Sequence, residues 1–87
     1  VFSDSPVKRI GWVSFIRNII IASGNSKSRK LIKSIKPFLV DLNPIVRGSA
    51  VWAFGQLANK CEKEKIKKKF INNEKNRYVL YEWSLFN

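Results

Sequence analysis

Asp41-Leu42-Asn43-Pro44-Ile45-Val46-Arg47-Gly48-Ser49-Ala50-Val51-Trp52-Ala53-Phe54-Gly55 is the stretch that decides the fold. The side-chain oxygen of Asn43 can accept from the free N–H groups of a helix's first turn. Pro44, with its φ already helical and no N–H to lose, suits the first helical position. Beyond them Val46, Ala50, Ala53, Phe54 and Leu57 recur at spacings of three and four, an apolar stripe along one helix face. The alanines and Gly55 let another helix approach closely. Asn59 and Lys60 close the helix.

The same periodicity recurs on either side. Upstream, Trp12, Phe15, Ile16, Ile19, Ile20 and Ser23 predict a helix that is apolar around much of its girth and packed on more than one side. The run Ile19–Ile21 is also a strand signal, which the wider periodicity outweighs. Gly24-Asn25-Ser26 ends that helix, with Gly24 suited to a left-handed C-terminal position. A second helix runs from about Ser28 to Val40, with Leu31, Ile32, Ile35, Phe38 and Leu39 on one face. Pro37 removes a backbone hydrogen bond inside it and predicts a kink or break near Ser34. Downstream, a lysine-rich helix spans about Glu62 to Asn72 with Ile66, Phe70 and Ile71 inward. A last helix, about Asn76 to Phe86, offers Val79, Leu80, Trp83 and Phe86. Residues 1–11 read as a lead-in loop, a link to something upstream. Five helices without alternating strands make an all-α chain.

A repeat underlies these helices. Asp41-Leu42-Asn43-Pro44-Ile45-Val46-Arg47 is echoed by Glu74-Lys75-Asn76-Arg77-Tyr78-Val79-Leu80, an offset of 33 residues. Recurrence in the low thirties with two helices per unit predicts an α-α superhelix. Its units are repeat 1 (12–41), repeat 2 (42–73) and a partial, divergent repeat 3 (74–87). An acidic residue, an Asn-Pro turn and a Val-Arg helix opening resemble the HEAT-repeat pattern. That resemblance implies structural roles for Asp41, Asn43, Pro44 and Arg47, the Asp and Arg bonding within and between neighbouring repeats.

Composition narrows the function classes. With 87 residues the chain is one domain or a piece of one, and 45% hydrophobic content with three Trp and six Phe argues for a packed core. The absence of histidine and the single cysteine, Cys61, exclude an internal disulfide and an iron–sulfur cluster held by this chain alone, together with most zinc sites and Ser–His or Cys–His catalysis. No apolar stretch is long enough to cross a bilayer and no signal peptide is evident, so the expected address is the cytoplasm, with no membrane partner. Seventeen Lys and Arg against six Asp and Glu, net +11, favour a polyanionic partner. AT-rich coding, which inflates Lys, Ile and Asn, is a second source of the same excess.

Two stretches go beyond a generic helical repeat. Ser5-Pro6-Val7-Lys8-Arg9-Ile10-Gly11, continuing through Phe15-Ile16-Arg17-Asn18 to Ile21-Ala22-Ser23-Gly24-Asn25-Ser26, is one. The Asp41–Gly55 stretch is the other. Together they resemble the C-terminal region of bacterial epoxyqueuosine reductases over about residues 3–58. The resemblance implies a HEAT-like domain that contacts tRNA and a place in queuosine modification of the wobble nucleotide. Cobalamin and iron–sulfur clusters serve that family's catalytic region, which lies upstream of these motifs. It thus implies no cofactor in this chain, no catalysis by it alone, and a separate or missing reductase domain as partner.

For contacts to RNA phosphate the candidates are Lys8, Arg9, Lys27, Arg29 and Lys30, with Lys33 nearly one turn beyond Lys30. Arg17 joins them, as an RNA contact, a contact to the catalytic domain, or a repeat of the Arg47 role. Lys63, Lys65, Lys67, Lys68 and Lys69 spread around their helix, interleaved with Glu62 and Glu64, and read first as a solvated surface and second as phosphate contacts. Trp52 reads as core, and Trp12 as a candidate exposed patch. No acidic pair suits general acid–base chemistry. Two other readings fit a helical-repeat chain: a protein–protein scaffold, and a DNA-binding helical-repeat protein.

Overall fold

A proline at its first position opens α1 (Pro6–Asn25), so the expected lead-in loop 1–11 is already helical from Pro6 onward. The computed structural model describes the backbone of residues 6–85 and the side chains of residues 11–85. The second helix breaks after Ile35, next to the expected point near Ser34. Only α2 (Ile32–Ile35) is α-helical, between 3₁₀ turns at Arg29–Leu31 and Lys36–Val40. Next come α3 (Pro44–Leu57), α4 (Lys60–Phe70) with a 3₁₀ turn at Ile71–Asn73, and α5 (Arg77–Ser84). Among the described residues there is no strand. Phe86, expected inside the last helix, lies outside them.

Asparagine caps set three of these starts. Asn43 Oδ1 accepts from Ile45 N–H at 2.8 Å, and Asn76 Oδ1 from Tyr78 N–H at 2.9 Å. Asn59, expected to close α3, instead opens α4. Its Oδ1 accepts from Glu62 N–H at 2.8 Å, while Glu62 Oε1 accepts from Asn59 N–H at 2.9 Å. This reciprocal box needs a Glu or Gln three residues after the cap, and Glu62 supplies it.

α3 is the central element. α1 and α5 both pack against it, as do α2 and the turn after it. The 33-residue echo relates the openings of α3 and α5; α1, α3 and α5 form one layer with α3 in the middle, and the α2 and α4 segments border a shared groove. The smallest extent of the molecule, 18 Å, matches two layers of helices about 8–10 Å apart. Val46, Ala50, Ala53, Phe54 and Leu57 are all buried, together with Val13, Ile16, Ile20, Ile32, Ile35, Leu39, Val79 and Trp83. Trp83 stacks on Phe70 at 6.3 Å, which ties α5 to α4.

α1 departs from expectation in two ways. Only its Val13–Ile16–Ile20 side is buried; Trp12, Phe15 and Ile19 remain 46%, 58% and 46% exposed, so it does not pack all round. Gly24 is not left-handed either. It lies within the helix, where an added Cβ would stand 2.6 Å from Trp52 Cζ3 and 3.0 Å from Ala53 Cα. Its small size lets α1 and α3 touch, and the left-handed residue is Lys27, with φ 60°.

The repeat is held by one polar cluster. Asp41 Oδ1 accepts from Asn43 N–H at 2.8 Å, and Glu74 Oε2 accepts from Asn76 N–H at 3.0 Å, so each acid braces the cap two residues on. Arg47 joins the two turns. It donates to the carbonyls of Asp41 and Leu42 at 2.9 and 3.3 Å and bidentately to Glu74 at 2.6 and 2.8 Å. The Arg47 and Glu74 side chains are only 20% and 8% exposed. Removing one partner of a pair this buried leaves the other uncompensated, which costs about 3 kcal/mol or more, whereas an exposed pair contributes about 1 kcal/mol at most. Arg47→Ala should therefore lower unfolding free energy in urea by about 3 kcal/mol. A loss below about 1 kcal/mol would show the cluster to be peripheral.

Candidate nucleic-acid interface

Most of the described acids are committed to the fold. Asp41 and Glu74 brace caps, and Glu62 completes the box that opens α4. Burial alone would raise the Glu74 carboxyl, but hydrogen bonds from Arg47 and from the Asn76 and Lys75 amides outweigh it and hold the group below the usual carboxylate range. Arg47 is raised by its hydrogen bond to Glu74. Glu62 is lowered by its bond from the Asn59 amide and then by Arg29. Ion pairs among the described residues engage only Arg29 and Arg47. No lysine takes part in these ion pairs, although the charge of Glu62 also acts on Lys36.

The expected phosphate contacts divide accordingly. Lys8 and Arg9 belong to the first turns of α1, and their side chains lie outside the described residues. Lys27 Nζ donates to Gln56 Oε1 at 3.1 Å. Arg29 pairs with Glu62 at 3.0 Å and donates to the Leu57 carbonyl at 3.3 Å, clasping the starts of the α2 and α4 segments. It is the least available of the group. Lys30 and Lys33 are exposed with no partner among the described residues. Arg17 stands apart from them, on a different cleft.

Lys33 lines a groove of about 370 Å³ between the α2 and α4 segments, together with Lys36, Pro37, Ile66, Lys69 and Phe70. Lys30, Lys33 and Lys36 follow one another at single-turn spacing along one edge, and Lys69 approaches from α4, its ammonium 5.4 Å from the Phe70 ring. No acid lines this groove. Three cations, Lys33, Lys36 and Lys69, border the apolar floor, and Lys30 lies one turn beyond Lys33; together they form a site for an extended anion. Sequence reasoning missed Lys36 and read Lys69 first as part of a solvated face. The 30–33–36 spacing carried the signal for Lys36, whereas Lys69 joins only because the two segments pack side by side.

The second cleft, about 190 Å³, lies on the α1–α3–α5 layer and is lined by Arg17, Ile21, Ser49, Trp52, Tyr78 and Glu82. Trp52, expected in the core, is only half-buried here. Glu82 Oε1 is buried with no hydrogen-bond partner among the described residues, and burial raises its carboxyl above the ordinary value. Each helix contributes residues three or four apart, so every pair was legible as one face, but not that the three faces meet.

Cys61 is exposed and free, and no group of three or more His, Cys, Asp or Glu gathers among the described residues. These side chains do not supply the ligand set of an iron–sulfur cluster. No helix of the described residues is long and apolar enough to cross a membrane. Comparison with protein-family models, curated proteins and solved structures gives no match to this chain.

Glu82 provides a test by pH. A carboxyl raised on folding destabilises the fold above its folded pKa, and the penalty vanishes once pH falls below the unfolded value of about 4.3. Glu82→Gln should therefore melt higher than wild type at pH 7, with the difference closing near pH 4. Equal melting temperatures at pH 7 would mean that the carboxylate is solvated.

Proposed function

We propose that this chain is a non-catalytic helical-repeat module that binds RNA through phosphate, along the Lys30–Lys33–Lys36 edge and Lys69. What supports the reading is the groove between the α2 and α4 segments, where basic side chains gather without an acid while most acids serve the fold. Ammonium groups on flexible stems follow a phosphate backbone by charge and shape, which dominate the recognition of folded RNA. The resemblance to the C-terminal region of epoxyqueuosine reductases makes tRNA the form of RNA proposed. In that reading the cobalamin and iron–sulfur chemistry belongs to a catalytic region outside this chain, and the working place is the cytoplasm.

A protein-contact reading has one observation in its favour. Trp12, Phe15 and Ile19 form an exposed apolar stripe on α1, with the Trp12 and Phe15 rings 6.3 Å apart. Binding through that stripe would respond little to salt. Binding through the lysine edge would respond steeply, because each phosphate that a lysine neutralises releases counterions. A DNA partner shares the salt response and is separated by the nucleic acid itself.

Fluorescence anisotropy with a labelled tRNA anticodon stem-loop and a DNA duplex of equal length, over a salt series, distinguishes the three. The stem-loop should bind more tightly than the duplex. Replacing Lys30, Lys33 and Lys36 together by Ala should reduce the log–log salt slope by roughly two, about 0.7 for each phosphate no longer neutralised. An unchanged slope in the triple variant, or equal binding of both nucleic acids, would overturn the proposal.

A further inference from the structure

The cleft on the α1–α3–α5 layer is not used by the phosphate-binding edge, and its chemistry is different. Its volume of about 190 Å³ is smaller than the roughly 300–1,000 Å³ of sites for drug-sized ligands, which suits one planar heterocycle better than a whole nucleotide. Trp52 and Tyr78 supply aromatic surface. Glu82 brings a buried acceptor that nothing in the described residues satisfies. Arg17 lines the same cleft yet makes no ion pair with Glu82, although each lacks another partner there. A smaller cleft of about 160 Å³ adjoins it, sharing Trp52 and Glu82 and adding Gln56 and Lys63.

These groups define a ligand by its edges. It must be flat, to lie against indole and phenol. It must present N–H donors to a carboxylate on one side and acceptors to a guanidinium on another. Guanine has both: adjacent N1–H and N2–H donors along one edge, and the O6 and N7 acceptors that arginine takes bidentately along the next. Adenine places its amino donor beside an acceptor and offers no adjacent donor pair. Cytosine has a single amino group and no second donor beside it for the carboxylate.

We infer that the Arg17–Trp52–Tyr78–Glu82 cleft binds a guanine base, Glu82 accepting from its N1–H and N2–H and Arg17 donating to its O6 and N7. Stacking on aromatic side chains contributes about 1–3 kcal/mol per base and is indifferent to base identity, so discrimination lies with Glu82 and Arg17. The base can come from a free guanine nucleoside or from an unstacked guanine of an RNA. The first source is independent of the RNA reading above, and the second rests on it.

The test uses the full chain and follows the Trp52 indole N–H signal in ¹H–¹⁵N NMR spectra during titration with guanosine or adenosine. Guanosine should bind more tightly than adenosine by about tenfold, the range of one good bidentate pairing. Glu82→Gln should remove that preference without lowering the melting temperature, because it deletes a buried charge while keeping the side-chain shape. A hairpin RNA with one unpaired loop guanine, compared with the same hairpin carrying adenine there, separates the sources. Guanosine binding with no hairpin preference identifies a free nucleoside, and a hairpin preference with silent guanosine identifies an RNA-borne base. Equal response to both nucleosides and both hairpins would overturn the inference, as would an undiminished guanine preference in Glu82→Gln. Steeply salt-dependent RNA binding alongside that result would leave the phosphate-binding proposal standing.

Discussion

The bidentate contact between Arg47 and Glu74 is the constraint on which the rest of the structure depends. It joins the turn that opens α3 to the turn that opens α5, two turns with the same local design one repeat apart. Each has an acid bracing an asparagine cap. Only the first has an arginine six residues after its acid, and that arginine reaches forward to the next acid while also holding the carbonyls of Asp41 and Leu42. The same side chain thus fixes its own turn and the position of its successor. Where the third arginine would stand the chain has Leu80, which is half-buried and can pass no such link onward.

This arrangement has an electrostatic consequence. A chain with net +11 repels itself, and in many proteins surface carboxylates offset such repulsion. Here Asp41, Glu62 and Glu74 are drawn into caps and turns, and Glu82 into a cleft, which leaves Glu64 as the one described acid outside such a role, so most compensation of the lysines falls to solvent ions. Those ions are what a polyanion displaces on binding. Fold and proposed function are therefore coupled through a shortage of acid: the groups that hold the repeats together are the ones absent from the basic groove.

Much of the fold was legible because its signals are local. Asn43 and Pro44 name a helix start by their own chemistry, the α3 stripe needs only one helix to define it, and the Asp41/Glu74 offset points to a repeat before any packing is known. Pro37 broke its helix where its missing N–H requires. Errors arose where one residue has two local readings. Asn59 can end a helix or cap the next, and Glu62 decides for the cap. Gly24 can turn the chain or admit a neighbour, and Trp52 across the interface decides for the neighbour. The basic edge was half legible, since Lys30 and Lys33 share one segment while Lys69 arrives from another. The cleft of Arg17, Trp52, Tyr78 and Glu82 was legible only as separate helix faces, because its groups come from three helices and Trp52 satisfies an apolar stripe equally well on paper.

If the groove between the α2 and α4 segments is the phosphate-binding surface, its lysines should be shielded whenever RNA is bound. Lysine acetylation footprinting of the intact chain, read by mass spectrometry with and without a saturating RNA stem-loop, addresses this one side chain at a time. Protection should concentrate on Lys30, Lys33, Lys36 and Lys69, with the remaining lysines modified at nearly their free rates. Protection distributed evenly over the lysines of the chain, or missing from these four, would contradict it.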